Sequence, residues 1–158
     1  GVPYAIDVNA GWSVPFTGLL CKQPPYGGIT AIDLITGKTK WDRPFGSARK
    51  NGPFGIASHL PVTIGTPNNG GAVVTAGGLI FVAATTDDLI HAIDLVTGKT
   101  LWTSALPGGG QANVMTYEEG GRQYVVVMAG GHHFMKTKVS DAVVAHALPR
   151  NSEGTTRF

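Results

Sequence analysis

The chain is poor in the residues that most often announce a function. It holds one cysteine, Cys21. A lone thiol builds no internal disulfide and leaves the redox compartment unread; Cys21 is expected to be a small, half-buried residue. Charged residues are only 14% of the chain, the formal net charge is +2, and Lys and Arg are scattered. That excludes a disordered acidic or basic tail and offers no basic stripe for nucleic acid. No apolar run approaches the ~18 residues of a membrane span. No segment of ten or more residues keeps a 3.6 period, so a helical bundle is excluded as well. The first residues, Gly-Val-Pro-Tyr, include neither an initiator Met nor a signal peptide, and a processed or excised chain is expected.

What is present points to strands. Hydrophobic residues make up 42% of 158, enough for a core, and there are 23 Gly and 10 Pro without a collagen period. The pattern predicts strands near Ile29–Asp33, Lys38–Arg43, Ala72–Thr75, Leu79–Thr85, Leu89–Asp94, Thr100–Ala105, Val114–Glu118, Gln123–Met128 and Ala142–Ala147. Segments 1–28 and 44–71 read as long ordered loops, held by Trp12, Phe16, Phe45, Phe54 and Ile64. The polar tail 149–158 is expected to be flexible.

An internal repeat organises these strands. Ala31-Ile32-Asp33-Leu34-Ile35-Thr36-Gly37-Lys38-Thr39-Lys40-Trp41 recurs as Ala92-Ile93-Asp94-Leu95-Val96-Thr97-Gly98-Lys99-Thr100-Leu101-Trp102, identical at nine of eleven positions. Asp and Thr suit the turn, Gly accepts a positive φ there, and Trp is a plate able to pack between sheets. The small Ala leaves room for that ring. Repeated hairpins at 29–43 and 89–105, each with a Trp, predict radially stacked sheets: an all-β fold of β-propeller blades. Residues 1–148 would form about two to three blades, the last partial and covering 114–147. A parallel solenoid is the structural rival.

The A-x-D-x-x-T-G-K-x-x-W signature resembles the tryptophan-docking motif of the pyrroloquinoline-quinone (PQQ)-dependent dehydrogenases, which are eight-bladed propellers. Thr66-Pro67-Asn68-Asn69-Gly70-Gly71, Thr75-Ala76-Gly77-Gly78-Leu79-Ile80-Phe81 and Leu106-Pro107-Gly108-Gly109-Gly110-Gln111-Ala112-Asn113 are similar to further segments of that family. The ending Gly130-Gly131-His132 resembles its membrane-bound glucose, quinate and polyol branch. The resemblance spans about residues 29–148. It implies a quinoprotein dehydrogenase acting on a sugar or polyol, with PQQ as cofactor and Ca or Mg beside it. It also implies ubiquinone as electron acceptor, the periplasmic side of the bacterial inner membrane, and the rest of a propeller as partner. The family's catalytic Asp and metal carboxylate lie upstream of this region, so the chain is expected to be a C-terminal piece, inactive alone, with no metal ligands of its own. Open blade edges are expected to favour self-association.

The resemblance also nominates residues. His132, with Gly131, is expected to abut PQQ, since an imidazole near neutral pH suits quinone chemistry. His133, next to it, could replace or assist it, but neighbours on a strand point opposite ways, so only one of the two is expected at the cofactor. Asn69 and Gly70 are expected against the cofactor plane, the glycine permitting close approach. Asp87 is expected to position PQQ, substrate or metal, and is the one candidate catalytic residue, although Thr86-Asp87-Asp88 is also good turn chemistry. Gln111 and Asn113 are weaker candidates for the funnel, and Lys136 and Lys138 for PQQ carboxylates. Asp33 and Asp94 belong to the turns, His59 and His91 to surface or loops, and His146 to a structural strand. Two other readings compete. A non-catalytic propeller scaffold, like the lipoproteins of outer-membrane assembly, has no reason to keep Gly-Gly-His. A carbohydrate-binding module would spend its three Trp on exposed platforms.

Overall fold

A computed structural model describes residue 3 and residues 13–148. Trp12 and the tail 149–158 lie outside the described residues. The described part contains nine strands: β1 Gly28–Ile32, β2 Thr39–Pro44, β3 Ala72–Val74, β4 Leu79–Val82, β5 Leu89–Asp94, β6 Thr100–Ala105, β7 Met115–Glu119, β8 Arg122–Ala129 and β9 Ala142–Ala147. They form three antiparallel sheets ordered β1-β2, β3-β4-β5-β6 and β7-β8-β9. Short 3-10 turns at Ala48–Lys50 and Pro53–Gly55 complete the described elements.

The inner strands of the middle sheet, β4 and β5, are buried on both faces, and the two-residue period decides which side chain goes where. Phe81, Ala83, Ile90 and Ala92 pack with Val125, Val127 and Ala129 of the third sheet. Ile80, Val82, Ala84 and Ile93 pack with Phe45, beside Ile29 and Trp41 of the first. Three sheets stacked face to face in chain order are propeller blades.

The repeat explains how adjacent blades dock. In both copies Ala sits across the ladder from Trp: Ala31 opposite Trp41, Ala92 opposite Trp102. A bulge follows in the same place, so Lys40 and Leu101 fall between paired positions. These are one of the two differences between the copies; the other, Ile35 and Val96, is 97% and 78% exposed at the turn. The repeat varies only where the ladder and the dock make no demand. Trp41 reaches forward into the next copy: its indole N–H donates to the Leu95 carbonyl at 3.0 Å. A Cβ on Gly98 would come within 2.7 Å of the Trp41 ring. Trp102 leans edge-on against His146 of β9, ring centroids 5.1 Å apart.

Several loop expectations are corrected. Phe45 is buried, but Phe16 and Phe54 are 96% and 66% exposed, so loops 13–27 and 45–71 are held by hydrogen bonds rather than by those rings. Examples are Phe54 N–H to Thr17 O and Thr66 N–H to Phe45 O. Cys21 is exposed, not half-buried.

Candidate functional site

In an antiparallel meander every second connection emerges at the same end of the sheet. The tight turns, such as 33–38, 95–99 and 119–121, lie at one end. At the other lie segment 45–71 entering β3, residues 83–88 between β4 and β5, residues 106–114 between β6 and β7, and residues 130–141 between β8 and β9. The five residues nominated first from sequence (Asn69, Gly70, Asp87, Gly131 and His132) sit on three of these four segments, at one end of the stacked sheets.

Residues 83–88 are wholly buried. Asp87 is 3% exposed. Its Oδ2 accepts from the Ser47 N–H and the Ser47 hydroxyl, both at 2.9 Å. Its Oδ1 accepts from the Thr85 hydroxyl at 2.5 Å. Both oxygens are therefore committed to protein donors. Asp88, at φ 56°, is gripped by Lys50 at 3.4 Å. The Asn69 N–H donates to Ala84 O at 2.9 Å, which seats the Thr66–Gly71 stretch on this segment. Gly70, at φ 156°, passes so close to the Ala112 backbone that a Cβ would meet its carbonyl at 2.9 Å. The Asn69 side chain is exposed.

Gln111 bridges the remaining segments. Its Nε2 donates to the Thr85 carbonyl at 2.7 Å, and its Oε1 accepts from the Thr137 hydroxyl at 2.7 Å. Thr137 Oγ1 in turn accepts the His132 N–H at 2.9 Å. Gly109 donates to Lys138 O, and Gly131 donates to Gly109 O. Gly131 has φ 72°, and a Cβ there would strike the Lys138 carbonyl, so glycine is required on two counts.

The histidines depart from expectation. β8 ends at Ala129, so His132 and His133 lie in a turn and not on a strand. Their rings stack, 5.5 Å apart and 9° from parallel, and Phe134 lies against both. The rings of His132 and His133 therefore lie side by side, where opposed directions were expected. His132 Nδ1 is buried with no hydrogen-bond partner among the described residues. His91 is not on the surface: it is 6% exposed in β5, edge-on to Phe45 at 4.7 Å. Burial holds its pKa below the ordinary 6.5, and the Asp87 carboxylate works in the opposite sense. It borders a cavity of about 540 Å³ between the first two blades, shared with Arg43, Arg49 and Lys99. His146 is structural, as expected, with its pKa also lowered by burial.

Lys136 and Lys138 have exposed side chains; the Lys138 backbone, not its ammonium, serves the site. Among the described residues no group of three or more His, Cys, Asp or Glu is placed to hold a metal ion. Sequence reasoning overlooked Ser47 and Thr137. Each reaches its partner over a long separation, 40 residues from Ser47 to Asp87 and 26 from Gln111 to Thr137. No local pattern encodes such pairings.

These stacked sheets, with a cluster of loops bound together at one end, are the blades of a β-propeller. The family model described as PQQ glucose/ethanol/alcohol dehydrogenase, β-propeller domain, matches residues 1–125, and the chain belongs to that family. It is 60% identical over 150 residues to the glycerol dehydrogenase large subunit of Gluconobacter oxydans (strain 621H), covering 94% of this chain and 20% of that protein. It is 46% identical over 149 residues to the quinoprotein glucose dehydrogenase of Escherichia coli (strain K12), covering 94% and 18%. The chain thus spans about a fifth of the length of these curated relatives. The crystal structure of quinohemoprotein alcohol dehydrogenase from Comamonas testosteroni superposes with a TM-score of 0.52 at 23% identity, over 80% of this chain and 18% of that one, which bears on the fold alone.

Proposed function

We propose that this chain supplies blades and one wall of the PQQ site to a dehydrogenase that oxidises a polyol or sugar. The observation that carries the reading is the bonded loop cluster, in which Asp87, Thr85, Gln111, Thr137 and His132 are linked in one continuous run. The residues present are compatible with a flat quinone beside them: Asn69 and Gly70 are exposed, the Asn69 amide is free to turn toward a ligand, and His132 keeps a buried ring nitrogen that no described residue satisfies. When bound, PQQ takes up the two electrons of the alcohol as a hydride. His132, stacked on His133, would offer a hydrogen-bond donor to the quinone, and Asn69 with Gly70 would help to hold the cofactor. Asp87 acts through its neighbours: with both oxygens occupied it fixes the Ser47 and Thr85 segments and is not the base. The catalytic base and the ligands of a Ca or Mg ion are assigned to residues outside the described set.

The higher identity to a glycerol dehydrogenase subunit than to a glucose dehydrogenase favours a polyol over glucose. The resemblance of the Gly-Gly-His ending to the membrane-bound branch favours ubiquinone as acceptor and the periplasmic side of the inner membrane. The scaffold alternative loses its support, because the family matched is that of the dehydrogenases. Titration of PQQ with Ca into the protein, followed by quenching of Trp fluorescence, tests the reading. Saturable binding that weakens at least tenfold in His132→Ala is expected. Unchanged affinity in that variant of the complete dehydrogenase would remove His132 from the site. Turnover with glycerol and with glucose then decides the substrate class.

A further inference from the structure

We infer that Gln111 and Thr137 are positioning residues, a two-side-chain clasp that sets the place of His132 relative to the Asp87 segment. The inference rests on the reading of the site given above. The clasp joins two blades. Thr85 belongs to the loop between β4 and β5 of the middle sheet, and Thr137 and His132 to the loop between β8 and β9 of the next. Gln111 stands between them and touches both, at 2.7 Å each.

Its hydrogen bonds can run in one direction only. The Thr85 carbonyl can only accept, so the amide must present its NH₂ there and its oxygen to Thr137. The His132 N–H can only donate, so Thr137 Oγ1 must accept it and send its single proton on to Gln111. Each member is locked by a neighbour that has no alternative. Turning the Gln111 amide over would set two acceptors against each other at Thr85. Thr137 is 9% exposed, so water does not readily replace a lost partner. Gly109 makes room for the pair: a Cβ there would run into Gln111 Oε1 and approach Thr137 Oγ1 at 2.5 Å. The His132 side chain leaves the chain one bond from the N–H that the clasp holds. Fixing that N–H therefore fixes the base of the imidazole, and the stacked His133 follows.

The test uses the complete dehydrogenase in which this chain is embedded, with Thr137→Val, Thr137→Ser, Gln111→Glu and His132→Ala. Valine keeps the shape of threonine and removes the hydroxyl; serine keeps the hydroxyl. Glutamate keeps the shape of glutamine and opposes an oxygen to the Thr85 carbonyl. Hydrogen exchange of the segment 130–138 in the apoprotein reads the clasp without cofactor. PQQ affinity in the presence of Ca reads its use. Exchange at His132 is expected to quicken at least tenfold in Thr137→Val and Gln111→Glu, and less than threefold in Thr137→Ser. PQQ affinity is expected to fall about tenfold in the first two and to recover in the serine variant. Thr137→Val added to His132→Ala is expected to weaken PQQ no further, since the clasp acts through that ring. Unchanged exchange in Thr137→Val overturns the clasp. Quickened exchange with unchanged PQQ affinity, or additive losses in the double variant, overturns its positioning role. Wild-type affinity in His132→Ala, with exchange responding as expected, strikes at the cofactor site itself and leaves the clasp a purely structural device. Loss of the folded transition in Thr137→Val would transfer the decision to the Gln111→Glu and Thr137→Ser pair.

Discussion

Gly37 and Gly98 hold the same place in the two repeats and share a φ of 67°, but their surroundings differ. A Cβ on Gly37 would meet open space, whereas one on Gly98 would meet the Trp41 ring. Gly37→Ala should carry only the left-handed penalty of roughly 1–2 kcal/mol. Gly98→Ala should carry that and an overpacking term of about 1–3 kcal/mol. Urea unfolding of the two variants checks this; equal losses would mean that the indole yields freely. His91 makes a second prediction at this scale. Its folded pKa lies below 6.5, so the unfolded chain binds more protons in the window just under that value. Its contribution is complete above 6.5 and is lost as pH falls toward the folded value. His91→Leu should flatten that part of the stability profile, as read from melting temperature against pH. A slope unchanged by the substitution would assign it to another group. The burial of His91 was hidden in the sequence because β5 is apolar on both faces. With no polar face to contrast against, a histidine in that run looks like an interruption.

Among the elements, the turns were the most legible. Asp33 Oδ1 accepts the Ile35 and Thr36 N–H groups at 3.0 and 2.9 Å, and Asp94 Oδ1 accepts the N–H and hydroxyl of Thr97 at 2.6 and 2.7 Å. These bonds, with Lys40 at 3.3 Å from Asp33, hold the Asp33 carboxyl down to about 2 and lower that of Asp94. The stabilisation is therefore present above the ordinary 3.8 and is lost as pH falls through the folded values. Asp33→Asn with Asp94→Asn should reduce the loss of stability between 3.8 and about 2, measured by acid unfolding. An acid transition identical to that of the parent chain would dismiss these turns as its source. The strands were legible for the same reason as the turns: local chemistry and a two-residue period decide both. The 83–88 segment was legible only in part. Asp87 could be singled out from turn chemistry and the resemblance, but its partner Ser47 lies on a loop that no period describes. The expected opposition of His132 and His133 failed because it assumed a strand continuing past Ala129, where Gly130 and Gly131 turn the chain.

At the scale of the whole molecule the three sheets are unequal. The first two bury their facing surfaces, while the outer face of the third is bare. Met115, Tyr117, Met128 and Val143 are 54%, 43%, 51% and 61% exposed, and their pairing places them on one side of β7-β8-β9. An apolar face of this kind favours association. The chain alone is expected to self-associate with rising concentration, and Met128→Lys with Val143→Lys to return it to a monomer in sedimentation velocity. Association undiminished by both lysines would place the contact elsewhere. The stacking of blades was readable from the repeat, but the direction of the dock was not, because eleven residues cannot say whether their tryptophan serves their own blade or its neighbour. It serves the neighbour: the Trp41 N–H ends on Leu95 and the ring lies on Gly98. This has a consequence for building hybrid enzymes. A crossover anywhere between Trp41 and Gly98 separates a tryptophan from the glycine shelf it was matched to, whereas one in the short stretch between Gly98 and Trp102, where β6 begins, leaves that joint whole and passes Trp102 on together with the sheet it meets. Chimaeras of this family should therefore take their seams at the start of a blade's last strand.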